Sequence, residues 1–118
     1  MYSSAALLLD ETRAGGGARS AEDGDAFTVR VAGNALEALD VRDGDRVVVV
    51  KGRVPEFGDL AALCVAGGAR TLWKVYPEGD DSTGGRLHLS NGRGRWTVPA
   101  KNVEAIGVVV AVLRKFGG

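Results

Sequence analysis

A chain of 118 residues is long enough for one domain with a single apolar core, and its 15 basic side chains are cancelled by 15 acidic ones. That balance removes any global electrostatic drive toward a polyanion and argues against a free-standing nucleic-acid module. No run approaches the roughly 18 apolar residues that cross a bilayer, and Ala5-Ala6-Leu7-Leu8-Leu9 has neither the basic flank nor the length of a signal sequence. A soluble chain without membrane attachment is expected. Cys64 is the sole cysteine, so no disulfide can close within the chain, in keeping with a reducing compartment such as the cytoplasm.

In chain order, the first 26 residues read as an N-terminal segment containing a mobile glycine-rich connection at Gly15-Gly16-Gly17, and residues 27–118 read as the folded domain. Phe27, Val29 and Val31 alternate with Thr28, Arg30 and Ala32, the period of a strand with one buried face. Asn34 to Leu39 is the one stretch with helix-compatible spacing, and Asn34 is placed to cap a single short turn. Asp43-Gly44-Asp45 turns the chain into Arg46-Val47-Val48-Val49-Val50-Lys51, whose continuous β-branched residues suit a strand buried on both faces.

A bent loop is expected over Val54-Pro55-Glu56-Phe57-Gly58-Asp59, then a strand from Leu60 to Val65, a hairpin closed by Gly67-Gly68, and a strand from Arg70 to Tyr76. Gly84-Gly85, Gly92 and Gly94 mark a second mobile region around the strands Arg86 to Ser90 and Arg95 to Val98. Val103 to Phe116 forms a last run, interrupted at Gly107, and its portion from Gly107 to Leu113 would be an aggregation-prone edge if nothing covered it. No unit repeats at a fixed period. The fold class is mainly β, built of twisted, mostly antiparallel strands with at most one or two short helical turns.

The chemistry-bearing pattern is an apolar strand followed by Gly33-Asn34-Ala35-Leu36. A glycine, a small residue and a short turn present the backbone N–H groups of Asn34 and Ala35 outward, where they can stabilise an oxyanion. Lys74 follows 39 residues after Ala35, amid Leu72, Trp73, Val75 and Tyr76. A lysine desolvated among such neighbours can act as a general base. Taken alone, Lys74 reads more simply as a surface lysine on the polar face of a half-buried strand.

The order of segments changes that weighting. Phe27-Thr28-Val29-Arg30-Val31, Gly33-Asn34-Ala35-Leu36, Asp43-Gly44-Asp45, Gly58-Asp59, Thr71-Leu72-Trp73-Lys74 and Ile106-Gly107-Val108-Val109 follow one another as in the self-cleaving Ser-Lys peptidase domain of LexA, the lambdoid phage repressors and UmuD, which this chain resembles over most of its length. That resemblance implies a LexA C-terminal-like fold. It places Ala35 at the nucleophile position, Lys74 at the general base, and the N–H groups of Asn34 and Ala35 at the oxyanion hole. Ala35 has no hydroxyl, so acyl transfer cannot begin there, and the turn reads as an inactivated nucleophile turn, as a deliberate Ser→Ala exchange would leave it. Leu36 stands for the usual methionine, a swap that keeps volume and apolarity.

The family cuts a bond of its own chain, typically Ala-Gly or Cys-Gly, and here Leu7-Leu8-Leu9-Asp10-Glu11-Thr12-Arg13 leads to Ala14-Gly15. A small residue before the bond and a glycine after it suit a tight bend into a cleft; the plainer reading of 13–19 is a glycine-rich linker. The resemblance further implies a homodimer formed through the C-terminal strand, a RecA filament as the stimulus for cleavage, and DNA contacts made only through a domain that these residues do not contain. The expected function is that of the regulatory domain of a LexA-like repressor of the DNA-damage response, inert at Ala35. A UmuD-like polymerase subunit and a pseudo-peptidase serving as a dimerisation or protein-binding module are the alternatives. A signal-peptidase-like enzyme uses similar dyad chemistry but needs a membrane attachment that the sequence does not show.

No cofactor and no metal site are expected. His88 shares a strand face with Arg86 and Ser90 and reads as a surface histidine, and Cys64 as a small buried hydrophobe. Arg86, Arg93 and Arg95 read as a solvated hairpin tip, and Trp73 and Trp96 as core anchors or cleft rim.

Overall fold

The computed structural model describes residues 6–13, 26–79 and 85–113. Eight strands account for most of them: β1 (Ala6–Arg13), β2 (Ala26–Ala32), β3 (Arg46–Lys51), β4 (Asp59–Val65), β5 (Arg70–Glu78), β6 (Arg86–Ser90), β7 (Arg95–Pro99) and β8 (Val103–Leu113). Two 3-10 turns, Glu37–Leu39 and Ala100–Asn102, are the helical elements among these residues. The mainly β, antiparallel class expected from the sequence is what the chain adopts.

All the pairings are antiparallel, in the order β1-β2-β3-β8-β4-β5-β6-β7, and β1 also pairs with β5 through Ala6↔Leu72 and Leu7↔Thr71. That extra pairing closes β1, β2, β3, β8, β4 and β5 into a barrel, which removes most free edges. The β6–β7 hairpin then continues from the half of β5 that β1 does not cover, with Lys74↔Ser90 as the first register pair.

Period-two alternation fills the barrel. Leu8, Phe27, Val29, Val31, Val47, Val49, Ala62 and Leu72 form one buried cluster, together with Ala35, Leu36 and Val41 from the segment between β2 and β3. The opposite face of β4 and β5 carries a second cluster of Ala61, Leu63, Trp73, Val75 and Leu89. Two clusters on two faces explain why residues 60–65 read as an unbroken apolar run. The edge of Trp73 meets Trp96 at a centroid distance of 5.4 Å, so Trp73 is a core anchor and the more exposed Trp96 its cover.

Four local expectations need correction. Val48 is only half-buried while Val50 beside it on the outer face is buried, so β3 is covered on its barrel face and only in part on the other. The Gly107–Leu113 run is an open edge only in part: β8 pairs with β4 through residues 103–108 and with β3 through 107–113, so Gly107 and Val108 are covered on both sides. Its closing portion, 109–113, pairs with β3 alone among the described residues, and Val110, Val112 and Leu113 stay exposed there. Asn34 caps nothing with its side chain; its carbonyl accepts from Glu37 N–H at 3.2 Å. Cys64 is half-buried rather than interior, because the barrel wall leaves its side of β4 partly open.

An ionic clasp joins three strands at the end of the barrel where β1 stops and β2 starts. Glu11 accepts from the guanidinium of Arg70 and lies 3.8 Å from Lys51, whose ammonium sits 5.0 Å from the centroid of the Phe27 ring. The hydrogen bond from Arg70, aided by the positive fields of Arg70 and Lys51, holds the Glu11 carboxyl below the usual carboxylate range. A pKa depressed by folding means stability that is fully present above the unfolded pKa and is lost as pH falls through the folded one. Thermal midpoints measured between neutral and acidic pH should therefore fall less steeply for Glu11→Gln than for the unmodified chain. Parallel curves would show that the clasp carries no linkage.

Candidate functional site

The Gly33–Leu36 turn is held by the segment that follows it. Gly33 has φ 97°, a conformation that strongly favours glycine, and its N–H donates to Asp43 Oδ1 at 2.7 Å. Gly44 N–H donates to the Val31 carbonyl at 2.7 Å, and Val31 N–H to the Asp45 carbonyl at 2.8 Å. Asp45, itself buried, accepts from Arg42 N–H through Oδ2 at 2.9 Å. The Asp-Gly-Asp motif is thus a brace that returns the chain against the end of β2 and fixes the turn from below. Asp40 closes the 3-10 turn in the left-handed region at φ 63° and donates its N–H to Glu37.

Ala35 is 8% exposed and Leu36 fully buried. The methyl of Ala35 faces the barrel cluster that contains Leu72, while the N–H groups of Asn34 and Ala35 have no acceptor among the described residues. They are the free donors that an oxyanion site requires.

Lys74 is half-buried on β5. Strand periodicity puts it on the face of Leu72, the side turned toward the Ala35 cluster, and not on the Trp73 and Val75 face. Its register partners are Leu60 on β4, which packs against the Ala35 cluster, and Ser90 on β6. The β6–β7 turn brings the two parts of the chain together. A Cβ placed at Gly92 would lie 2.8 Å from the Ala38 Cβ and 3.0 Å from Leu39, and Arg93 pairs with Glu37 at 3.5 Å. The 3-10 turn after Ala35 therefore rests on the loop that begins at Ser90, opposite Lys74. Ala35, Asn34 and Lys74 belong to one side and one end of the barrel.

Ala14 and Gly15 lie outside the described residues. His88, read as a surface histidine, keeps part of its ring exposed and is held by two neighbours: Nδ1 meets Thr97 Oγ1 at 2.8 Å and Nε2 meets Glu78 Oε1 at 2.7 Å. That contact, with the charge of Arg86 next, holds the Glu78 carboxyl below its ordinary value. No cluster of three or more metal-ligating side chains occurs among the described residues, and none of their helices is long and apolar enough to span a membrane. A cleft of about 410 Å³ floored by Leu63, Leu87 and Val103 opens on the opposite face of β5, so it is separate from the Lys74 side. Sequence reading missed the aromatic and cationic group on the Lys74 face, Phe57, Tyr76 and Arg95. The signal for Tyr76 was available, since it follows Lys74 by one strand period.

The chain is a closed antiparallel barrel with a braced Gly-x-small turn and a half-buried lysine on β5. No protein-family model matches the chain. It is 32% identical over 91 residues to the LexA repressor of Koribacter versatilis, covering 76% of this chain and 42% of that relative. It is 31% identical over 93 residues to the LexA repressor of Corynebacterium efficiens and 36% over 93 residues to that of Corynebacterium glutamicum (strain ATCC 13032), in each case over 79% of this chain and 38% of the relative. The chain thus spans well under half the length of these curated relatives. It belongs, by sequence and by fold, with the LexA-like C-terminal domains.

Proposed function

We propose that this chain is the regulatory domain of a LexA-like transcriptional repressor of the DNA-damage response. In this role it provides dimerisation and an autoproteolytic centre that is inert because Ala35 occupies the nucleophile position. The observation that carries the proposal is the placement of the Gly33–Leu36 turn, with free N–H donors, on the side and end of the barrel to which Lys74 belongs. In a serine-bearing form the hydroxyl at position 35 attacks the Ala14-Gly15 carbonyl, Lys74 takes its proton, and the N–H groups of Asn34 and Ala35 hold the oxyanion. A RecA filament would be the stimulus, DNA would be reached through a further domain of the whole protein, and the setting would be the cytoplasm.

The test is to restore the hydroxyl. After incubation at alkaline pH, where amines give up their protons, mass spectrometry of Ala35→Ser should find the two fragments of a cut between Ala14 and Gly15. A chain that stays whole under these conditions, with or without RecA filament, sinks the autoproteolytic reading and leaves the pseudo-peptidase module, which the methyl at position 35 itself favours.

For dimerisation, the support is the exposed group Val110, Val112 and Leu113 on a portion of β8 that pairs with β3 alone among the described residues. Apolar side chains beside unpaired backbone groups favour a symmetric partner. Sedimentation equilibrium at on the order of 10 micromolar should show a dimer, and Val112→Glu should shift it to monomer. Monomer alone at that concentration would remove the dimer from the proposal.

A further inference from the structure

The face of β5 that carries Lys74 carries Tyr76 one period on, and the register sets Ser90 opposite Lys74, His88 opposite Tyr76, and Arg95 opposite Ser90. Two cations converge on the Tyr76 ring. The Arg95 guanidinium carbon lies 5.0 Å from its centroid and the Lys74 ammonium 6.0 Å, while Phe57 meets the ring edge-to-face at 4.9 Å. Neither Lys74 nor Arg95 has a carboxylate partner among the described residues. Of the neighbouring acids, Glu78 is engaged with His88 and Arg86 and Glu37 with Arg93, while Glu56 and Asp59 lie within two residues of Phe57, the Asp59 carboxylate accepting from Glu56 N–H at 2.8 Å. An aromatic face steadies a cation without neutralising it. This face of β5 therefore carries two cations that form no ion pair among the described residues, in a chain whose formal total is zero. The unused N–H groups of Asn34 and Ala35 belong to the same end of the barrel, and Phe57, 75% exposed, supplies an apolar wall.

We propose that this face is a receptor for an extended acidic peptide of a partner protein, taking a side-chain carboxylate between Lys74 and Arg95 and a neighbouring apolar side chain on Phe57. The proposal rests on the reading that the Gly33–Leu36 turn and Lys74 share one cleft. With a methyl at position 35 there is no nucleophile to serve, and donors arranged for a developing oxyanion suit a standing carboxylate equally well. Charge complementarity selects the ligand class. Two cations around one tyrosine match a carboxylate, whereas a nucleic acid needs a row of phosphate contacts to bind appreciably.

The experiment titrates the isotope-labelled chain with the blocked peptide Ac-Ala-Leu-Glu-Leu-Ala-amide at about 50 mM salt, where such attractions are only partly screened. Saturable amide shifts are expected at Asn34, Ala35, Lys74, Tyr76 and Arg95. Affinity should fall about tenfold when glutamine replaces the peptide's glutamate, and about as much in Arg95→Gln, whose side chain is exposed on the outer strand and whose loss leaves the fold intact. Equal affinity for the glutamine peptide, or an Arg95→Gln chain that binds as before, overturns the proposal. So does an oligothymidylate that binds these residues more tightly than the peptide. If Ala35→Ser cuts itself but the unmodified chain shows no acid-dependent binding, the receptor fails and the autoproteolytic reading stands. Acid-dependent binding beside an inert Ala35→Ser chain supports the receptor and removes the catalytic ancestry.

Discussion

Adding Lys74→Ala to Ala35→Ser should reduce self-cleavage by about 10²–10⁴-fold, the usual contribution of a positioned general base, while the thermal midpoint moves little. Lys74 makes no ion pair among the described residues, and its ammonium lies 6.0 Å from the centroid of the Tyr76 ring. Truncation therefore removes part of an aliphatic stem and no hydrogen bond, a loss of about 1 kcal/mol or less. A lysine that served only the packing of β5 would show the reverse pattern, with stability lost and cutting retained. Lys74→Arg sharpens the distinction. It keeps the positive charge and the reach, but a guanidinium does not surrender its proton, so this variant should be as slow as the alanine one. Cleavage at an undiminished rate in either double variant would remove Lys74 from the mechanism.

Strand identity was legible because burial imposes a period of two on each segment separately. Phe27, Val29 and Val31 announce an inner face whatever they face, and Ala66 and Gly67, both with positive φ, make the tight turn that Gly67-Gly68 signalled. Pairing partners carry no such local mark. Nothing in residues 6–7 says that they meet 71–72, yet that pairing closes the barrel and leaves the rest of β5 free for β6. The same blindness hid that the run from Gly107 begins between two strands, with β4 leaving it after Val108 and β3 alone following it to Leu113 among the described residues.

At the site, the side of β5 taken by Lys74 follows from its spacing to Leu72, and this much the sequence carried. The brace from Asp43 to Gly33 spans a ten-residue loop, and the stacking of Arg95 on Tyr76 spans two strand crossings. Such contacts become readable only once the register is fixed. The partners of His88 were hidden for a related reason: Thr97 and Glu78 come from the two flanking strands and could not be judged from Arg86 and Ser90.

Gly107→Ala should be among the most destabilising single substitutions in the chain, on the order of 3 kcal/mol or more. Gly107 and Val108 are the two positions where β8 pairs with β3 and β4 at once, through Lys51↔Gly107 and Ala62↔Gly107, then Val50↔Val108 and Ala61↔Val108. At that crossing the strands approach so closely that a Cβ on residue 107 would sit 2.4 Å from the Val50 carbonyl oxygen, 2.8 Å from Val49 Cγ1 and 2.9 Å from the Val50 carbonyl carbon. Two of the three are backbone atoms, which cannot rotate aside, and the third belongs to a fully buried core valine. Relief requires β3 to move off β8, and β3 cannot move without pulling Val47 and Val49 from the barrel. Gly58→Ala is the contrasting case. Its φ of 88° disfavours a side chain, but a Cβ there meets nothing within 4 Å, so the cost should be the conformational one alone, about 1 kcal/mol. Urea unfolding should therefore separate the two variants by a clear gap in midpoint, with Gly107→Ala much the lower. Coincident midpoints would mean that β8 has room to bend where three strands meet, and that the closure of the barrel does not depend on the missing side chain.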